Sequence, residues 1–410
     1  MEVLARCQTL AGFSEIAEGI CRTFLCDAMH ECHREIEGWL APLAVRSRID
    51  AAGNLCITYP ALEADAPRLF IGSHLDTVPN AGAYDGILGV VLAIALLEAL
   101  EGRRLPFAVE VIGFSEEEGI RFGTPFLGSR ALVGSLDEPL LSKKDARGIS
   151  MRQAIENFGL KSAEIPQAAM GPDVLGYLEV HIEQGPVLES LGHPLGIVEV
   201  IVGQSRLEVT FEGHANHAGT TPMNLRRDAV AAAAEWISAV ENHAKYTADL
   251  MATVGAIQVK PGTGNVIAGE VRLSLDVRHR LDEARMTAVE YLLREAEEIA
   301  TRRGGGFRWN LLLEQRATPM NPLLVNEVAR AVSQAGCEPY RMVSGAGHDA
   351  MIIAAKVPAA MLFLRTPGGV SHDPAETVAV GDIAKAVEAG CYLLEQLAGS
   401  AEFLKRIQHA

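Results

Sequence analysis

The chain has 410 residues, 49% hydrophobic and 21% charged, with a formal net charge of −16. At roughly 100–200 residues per domain, that length predicts two domains with material for a large core. The acidic balance excludes nucleic acid and anionic membrane as partners, because phosphate binding needs a basic footprint; a small anionic ligand stays open wherever arginines or metal ions supply local positive charge. The seven cysteines (Cys7, Cys21, Cys26, Cys32, Cys56, Cys337, Cys391) are odd in number and scattered, a pattern of reduced thiols in a cytoplasmic chain. MEVLARCQTLAG lacks the basic start and apolar run of a secretory signal. The longest apolar stretch, Ile87 to Leu100, falls short of the roughly 20 residues a membrane span needs. Cys26, His30, Cys32 and His33 read as part of an amphipathic helix in preference to a metal clip.

In chain order, RLFIGS at 68–73 predicts a buried strand, 84–101 a largely apolar helix, FAVEVIGF at 107–114 a second strand and LGYLEVHI at 175–182 a third. Strands separated by helices point to a mostly parallel α/β sheet. Near Gly203 the pattern changes. Leu207, Val209 and Phe211 alternate with polar residues, as do Val271, Leu273, Leu275 and Val277, which marks strands with one buried face, typical of antiparallel sheets. Helical stretches at 225–243 and 282–302 accompany them, and RRGGGF at 302–307 reads as a turn. After PMNP the α/β style returns, with a helix at 323–335, a buried strand MLFL at 361–364 and a closing helix at 382–397. The fold class expected is therefore α/β: a discontinuous, mostly parallel-sheet catalytic domain (1–204 and 318–410) with an inserted α+β domain at 205–317.

Five segments hold the histidines and acids worth weighing. GSHLDTV presents His74 at a strand end, where α/β proteins place ligands, with Asp76 suited to accept the other imidazole N–H. Asp85 in AYDGILG opens the apolar helix, and by itself reads as an N-cap. FSEEEGIRFG ends a strand in Glu116, Glu117 and Glu118, adjacent carboxylates whose repulsion a cation would relieve. His181 lies in EVHIEQGPVLE, where alone it reads as a core histidine, and His372 lies in the glycine-rich GGVSHDPAE. Together they supply a mixed nitrogen and oxygen set that suits Zn²⁺, Mn²⁺, Co²⁺ or Ni²⁺ better than Ca²⁺.

GSHLDTV, YDG, EEEGIRF, HIEQGPVLE, HANHAGTTPM, SGAGHDAM and GGVSHDPAE resemble the amidohydrolase branch of the ArgE/DapE-type co-catalytic metallopeptidase superfamily. That branch holds allantoate amidohydrolases, N-carbamoyl-L-amino-acid hydrolases and β-alanine synthases, and the likeness runs from about residue 12 to 395. It implies two divalent ions per subunit, Mn²⁺ first with Zn²⁺, Co²⁺ or Ni²⁺ as alternatives. His74, Asp85 and His181 would hold one or both ions, Asp85 bridging them, with Glu118 and His372 completing the ligand set of the second ion. Registering GIRF on the family pattern makes Glu117 the general base and Glu118 the ligand, although Glu116 leaves a one-residue shift open. The resemblance further implies that Asp76 supports catalysis, that His217 donates to the oxyanion, and that Gln184, His217, Asn265, Arg278 and His348 contact substrate. By alternation Arg272, Ser274, Asp276 and Arg278 share one strand face; an Arg278–Asp276 surface ion pair is the plainer reading of that arginine, and a guanidinium clamp for a substrate carboxylate is the family one. The inserted domain would serve as lid and homodimer surface. The activity implied is hydrolysis of a ureido- or amidine-type C–N bond in a small anionic ureido substrate, allantoate first and N-carbamoyl-L-amino acids or N-carbamoyl-β-alanine second. An exopeptidase, or a homologue without metals, fits the HIEQG and NHAGTTPM segments and the full ligand set less well.

Overall fold

The computed structural model describes residues 2–400 and Ile407. It divides into two compact units, one built from the chain up to Glu199 and from Met320 onward, the other from Val200–Pro319.

The strands of the first unit are β1 (Arg46–Ile49), β2 (Leu55–Tyr59), β3 (Arg68–His74), β4 (Ala108–Phe114), β5 (Val174–Ile182), β6 (Leu195–Ile201), β7 (Arg341–Ser344) and β8 (Ala359–Leu364). They lie in the order β1-β2-β4-β3-β5-β8-β6, with β7 also pairing with β6. The four central strands β4, β3, β5 and β8 are parallel, and antiparallel pairs complete both sides. Every residue of β4 and β8 is buried. Such strands read as continuous apolar runs because helices cover both faces. The helix Ile87–Ala99 is apolar all round except for Glu98 near its end, which pairs with Arg6, and it is almost wholly buried, as a helix without a polar face must be. The helices Pro322–Gln334 and Val380–Gly399 pack on one another and on β8. Four parallel strands therefore send their carboxyl ends, and the loops that follow, to one edge, the place where open α/β sheets bind ligands.

The second unit is antiparallel. Strands run in the order 257–260, 270–279, 203–212 and 306–315, with 251–253 also paired to 270–279. The alternation expected for 207–211 and 271–277 is realised: these apolar residues are buried, and they pack with Trp236, Leu292 and Ile299 from the helices Ala229–Tyr246 and Asp282–Arg302. Trp236 donates its indole N–H to the Leu292 carbonyl at 2.8 Å, which satisfies the one polar atom of a fully buried ring. One expectation fails in part. RRGGGF is not all turn, since the strand Gly306–Gln315 already begins at Gly306 and pairs with Glu212. At Gly305 a side chain would meet the Glu212 carbonyl oxygen at 2.4 Å, so the glycines serve close strand approach as well as turning.

The Cys26–His33 stretch belongs to the amphipathic helix Asp27–Leu40, where Met29, Cys32, His33 and Ile36 face the core. His30 stacks on Phe158 with ring centroids 3.5 Å apart. Among the described residues no helix is long and apolar enough to cross a membrane.

Candidate metal centre

His74 is the last residue of β3, His181 the penultimate residue of β5, Glu117 and Glu118 follow β4, and His372 follows β8. The parallel register thus gathers residues from four separate segments at one edge. Asp85 arrives from the loop before the helix Ile87–Ala99. It is not that helix's N-cap; Gly86 is, and no side chain caps there. Gly86 has φ of 71°, and a Cβ on it would lie 2.4 Å from the His74 ring. Only glycine lets the chain pass over the imidazole at this point, which explains the YDG sequence.

The Nδ1 atoms of His74 and His181 face backbone carbonyls, Asp76 at 3.0 Å and Ile182 at 2.9 Å. A carbonyl only accepts, so each Nδ1 carries its hydrogen, and each Nε2 is the nitrogen that faces inward and offers a lone pair when the ring is neutral. Those two Nε2 atoms lie 3.3 Å apart. Asp85 adds Oδ1 at 3.2 Å from His181 Nε2 and 3.8 Å from His74 Nε2, and Oδ2 at 3.1 Å from His372 Nε2. His372, with φ of 57°, also lies 3.4 Å from Glu118 Oε1. Three overlapping groups result, His74–Asp85–His181, His74–Glu117–Glu118 and Asp85–Glu118–His372, each with ligand atoms within 4.8 Å of one another.

The site's field favours positive charge. Burial opposes protonation of His74, yet Asp76, Glu117 and Asp85 outweigh it and hold its pKa well above the usual range. His372 is pushed up to about 10 by its contacts with Asp85 and Glu118. Burial alone would raise the Asp85 pKa, but His181 and His372 pull it well below the ordinary carboxylate value. Inward-facing lone pairs and convergent carboxylates are a donor set that fits divalent cations of the Mn²⁺ or Zn²⁺ class.

The three glutamates part company. Glu116 is buried away from the cluster, accepting the backbone N–H groups of Phe24 at 2.7 Å and Arg121 at 3.0 Å. Asp76 has a second set of partners besides the His74 imidazole expected for it. Its carboxylate is 3.5 Å from His74 Nδ1, while its two oxygens accept the N–H groups of Glu117 at 2.9 Å and Glu118 at 3.0 Å. It thereby ties the glutamate turn to the histidine strand. Gln184, at φ of 57°, donates its amide to both Asp85 oxygens at 3.1 and 3.0 Å. His348 is buried, 3.0 Å from the Ser344 hydroxyl, with its ring edge-on to His181 at 4.5 Å. Burial holds its pKa well down, so it stays neutral.

The remaining residues belong to the Val200–Pro319 unit. His217 is exposed, pairs with Val266 and accepts the Gly219 N–H at 3.0 Å, and the adjacent Asn265 carbonyl accepts the Ala218 N–H at 2.9 Å. Arg278 meets Asp276 through Nε at 2.8 Å, so the surface ion pair exists. Arg272, Ser274, Asp276 and Arg278 share the half-buried face of their strand.

Sequence reasoning missed Ser371 and Glu376. Ser371 Oγ lies 3.1 Å from Asp85 Oδ2, and the buried Glu376 accepts the Tyr84 and Asp85 N–H groups. Burial and the Asp85 charge push the Glu376 pKa up to about 7. The only signal available was proximity to His372 in GGVSHDPAE.

This layout of a parallel sheet with histidines and carboxylates at its carboxyl edge has known counterparts. The model for peptidase family M20/M25/M40 matches residues 70–396, and the chain belongs to that family. It is 40% identical to an N-carbamoyl-L-amino acid amidohydrolase of Geobacillus stearothermophilus, over 85% of this chain and 86% of that one. It is 38% identical to a probable allantoate deiminase of Oryza sativa subsp. japonica, over 93% and 85% respectively. Among solved structures, a hydantoinase/carbamoylase family amidase from Burkholderia multivorans superposes with a TM-score of 0.92 at 29% identity, covering 97% and 98%.

Proposed function

We propose that the chain hydrolyses a ureido- or amidine-type C–N bond in a small carboxylate substrate, with allantoate as that substrate and ammonia and CO₂ as products. The observation that carries this reading is the pair of His74 and His181 Nε2 atoms 3.3 Å apart, with Asp85 turning Oδ1 toward them and Oδ2 toward His372. His74, Asp85 and His181 would hold one divalent ion, Glu118 and His372 a second, with Asp85 shared and Mn²⁺ preferred. Such ions, when bound, polarise the scissile carbonyl and acidify water.

Glu117 is assigned the proton transfers: it takes the proton of the attacking water and returns it to the departing nitrogen, so that the terminal C–N bond breaks and ammonia leaves. The N-carbamate left behind takes up a proton from water and loses CO₂, so the remainder of the substrate departs as the free amine. Asp76 keeps Glu117 and Glu118 in place through their backbone N–H groups. His217 is assigned the developing oxyanion, Arg278 the substrate carboxylate, and Gln184, Asn265 and His348 further substrate contacts. The second unit is proposed as lid and homodimer surface, to be checked by light scattering on the eluted protein. The seven cysteines, all free, support a cytoplasmic location.

A second reading, N-carbamoyl-L-amino-acid or N-carbamoyl-β-alanine hydrolysis, uses the same machinery and is favoured by the 40% identical Geobacillus protein. Mn²⁺-loaded protein offered allantoate, N-carbamoyl-L-amino acids and N-carbamoyl-β-alanine separates the two. Ammonia release from allantoate with the highest kcat/KM is the expected result. Activity confined to carbamoyl compounds removes the first reading, and turnover of dipeptides alone removes both.

A further inference from the structure

Glu376 lies beyond His372 on the loop that follows β8, and it is buried. Its Oε1 accepts two backbone N–H groups, from Tyr84 at 2.9 Å and Asp85 at 3.0 Å. Its Oε2 lies 3.3 Å from the hydroxyl of Ser371, which is also 3.1 Å from Asp85 Oδ2. One carboxylate therefore grips both the loop that carries Asp85 and the loop that carries His372, segments nearly 300 residues apart in sequence (291 from Asp85).

The packing around it is close. A Cβ on Gly82 would fall 2.4 Å from Glu376 Cβ and 2.5 Å from its Oε1, so the Asp85 loop closes over this side chain with no space to spare. A hydroxyl carries one hydrogen, so Ser371 donates to Asp85 or to Glu376 and not to both. Asp85 already accepts from Gln184 on both oxygens, and Glu376 gives the Ser371 hydroxyl a second acceptor on its own loop. Without Glu376, two buried N–H groups, of Tyr84 and Asp85, would lose their acceptor, which a buried donor tolerates poorly. The loop would then move to find others.

We propose that Glu376 is the positioning residue for the metal centre: it locks the Tyr84–Asp85 loop to the Ser371–His372 loop so that Asp85 presents one oxygen to His181 and the other to His372. The proposal rests on the metal reading above and adds a residue outside the ligand shell.

The test is Mn²⁺ titration of metal-free protein, followed calorimetrically, for wild type, Glu376→Ala, Glu376→Gln and Gly82→Ala, with thermal unfolding of each metal-free protein alongside. Glu376→Ala is expected to weaken Mn²⁺ binding about 10- to 100-fold, the range usual for partners that orient ligands. Glu376→Gln keeps an amide oxygen for both N–H groups and should stay within about fivefold of wild type. Gly82→Ala leaves the carboxylate intact but pushes it aside, and should follow Glu376→Ala in affinity. If Glu376→Ala does not fold, Glu376→Gln and Gly82→Ala decide between them. Wild-type affinity in Glu376→Ala or Gly82→Ala overturns the proposal, as does a Glu376→Gln protein as weak as Glu376→Ala, which would mean that charge and not geometry matters. Wild-type protein that takes up no Mn²⁺ is a distinct result and removes the metal reading, with this proposal resting on it.

Discussion

Burial pushes the Glu117 carboxyl well above its ordinary pKa, against the pull of His74 and with the help of Glu118, Asp349 and Asp76. A carboxyl in that environment takes a proton readily, as a group shuttling between water and a departing nitrogen must. Glu118 points at His372 and belongs to the group that includes Asp85, whereas Glu117 is grouped only with His74 and Glu118. Glu117→Gln should therefore leave Mn²⁺ binding intact and lower kcat by about 10²–10⁴-fold, the usual share of a general base. Glu118→Gln should weaken Mn²⁺ binding first. Parallel metal titrations and turnover assays check both, and a Glu118→Gln protein that binds Mn²⁺ normally but does not turn over would exchange the two roles. At Arg278 the neighbouring Asp276 already supplies a carboxylate at 2.8 Å. On the proposed role of Arg278, a substrate carboxylate would compete with that pair, and Arg278→Ala is expected to raise KM about tenfold or more with kcat little changed. An unchanged KM would put the carboxylate clamp on another residue.

Secondary elements owe their legibility to how completely they are buried. The strands at 68–73, 107–114 and 361–364 were readable because both faces are covered, leaving mainly apolar runs in which Glu110 is a buried exception paired with Arg68, and they appear as Arg68–His74, Ala108–Phe114 and Ala359–Leu364. The candidate metal set was legible only jointly: His74, Asp85, His181, His372 and the glutamates each have a plain structural reading alone, and their shared position at strand ends and helix starts, with the family resemblance, is what grouped them. What the glutamates and Asp76 each contact was not readable. Glu116 and Asp76 accept N–H groups from residues 92 and 41 positions away. Backbone donors are the same at every residue, so no pattern of side chains announces such bonds. Glu376 escaped on the same ground.

Helix packing supplies a prediction of the same scale. Where the helix Ile87–Ala99 crosses the sheet, a Cβ on Gly89 would lie 2.1 Å from the Val180 carbonyl oxygen and 2.7 Å from Ser73 Cβ. Those neighbours belong to β5 and β3, the strands that carry His181 and His74, and backbone cannot swing aside as a side chain can. Alanine normally favours a helix over glycine, yet Gly89→Ala should destabilise the protein by roughly 1–3 kcal/mol through overpacking. Urea unfolding checks it, and equal or greater stability would mean that the helix can lift off the sheet without loss.

At the scale of the molecule, a chain of net charge −16 buries Asp76, Asp85, Glu117, Glu179, Asp349 and Glu376 in its first unit. Carboxylates withdrawn from water are costly unless paired. Backbone donors and histidines satisfy some of that demand, and burial still pushes Glu117 and Asp349 well up in pKa. Cations at the His74–Asp85–His181 and Asp85–Glu118–His372 groups would offset the rest, and because the unfolded chain offers no such site, their binding free energy adds to folding stability. With Mn²⁺ at about a thousand times its Kd the gain is about 4 kcal/mol, which for a unit of this size raises the melting temperature by roughly 8 °C. The ligand groups lie wholly in the first unit, whereas the Val200–Pro319 unit has its own apolar core around Trp236. Calorimetric unfolding with chelator and then with Mn²⁺ should move the transition of the unit that carries Asp85. Asp85→Ala removes the shared carboxylate and should abolish the shift. If Asp85→Ala is stabilised by Mn²⁺ as much as wild type, the ion binds elsewhere and the convergence of histidines and acids at this sheet edge has another cause.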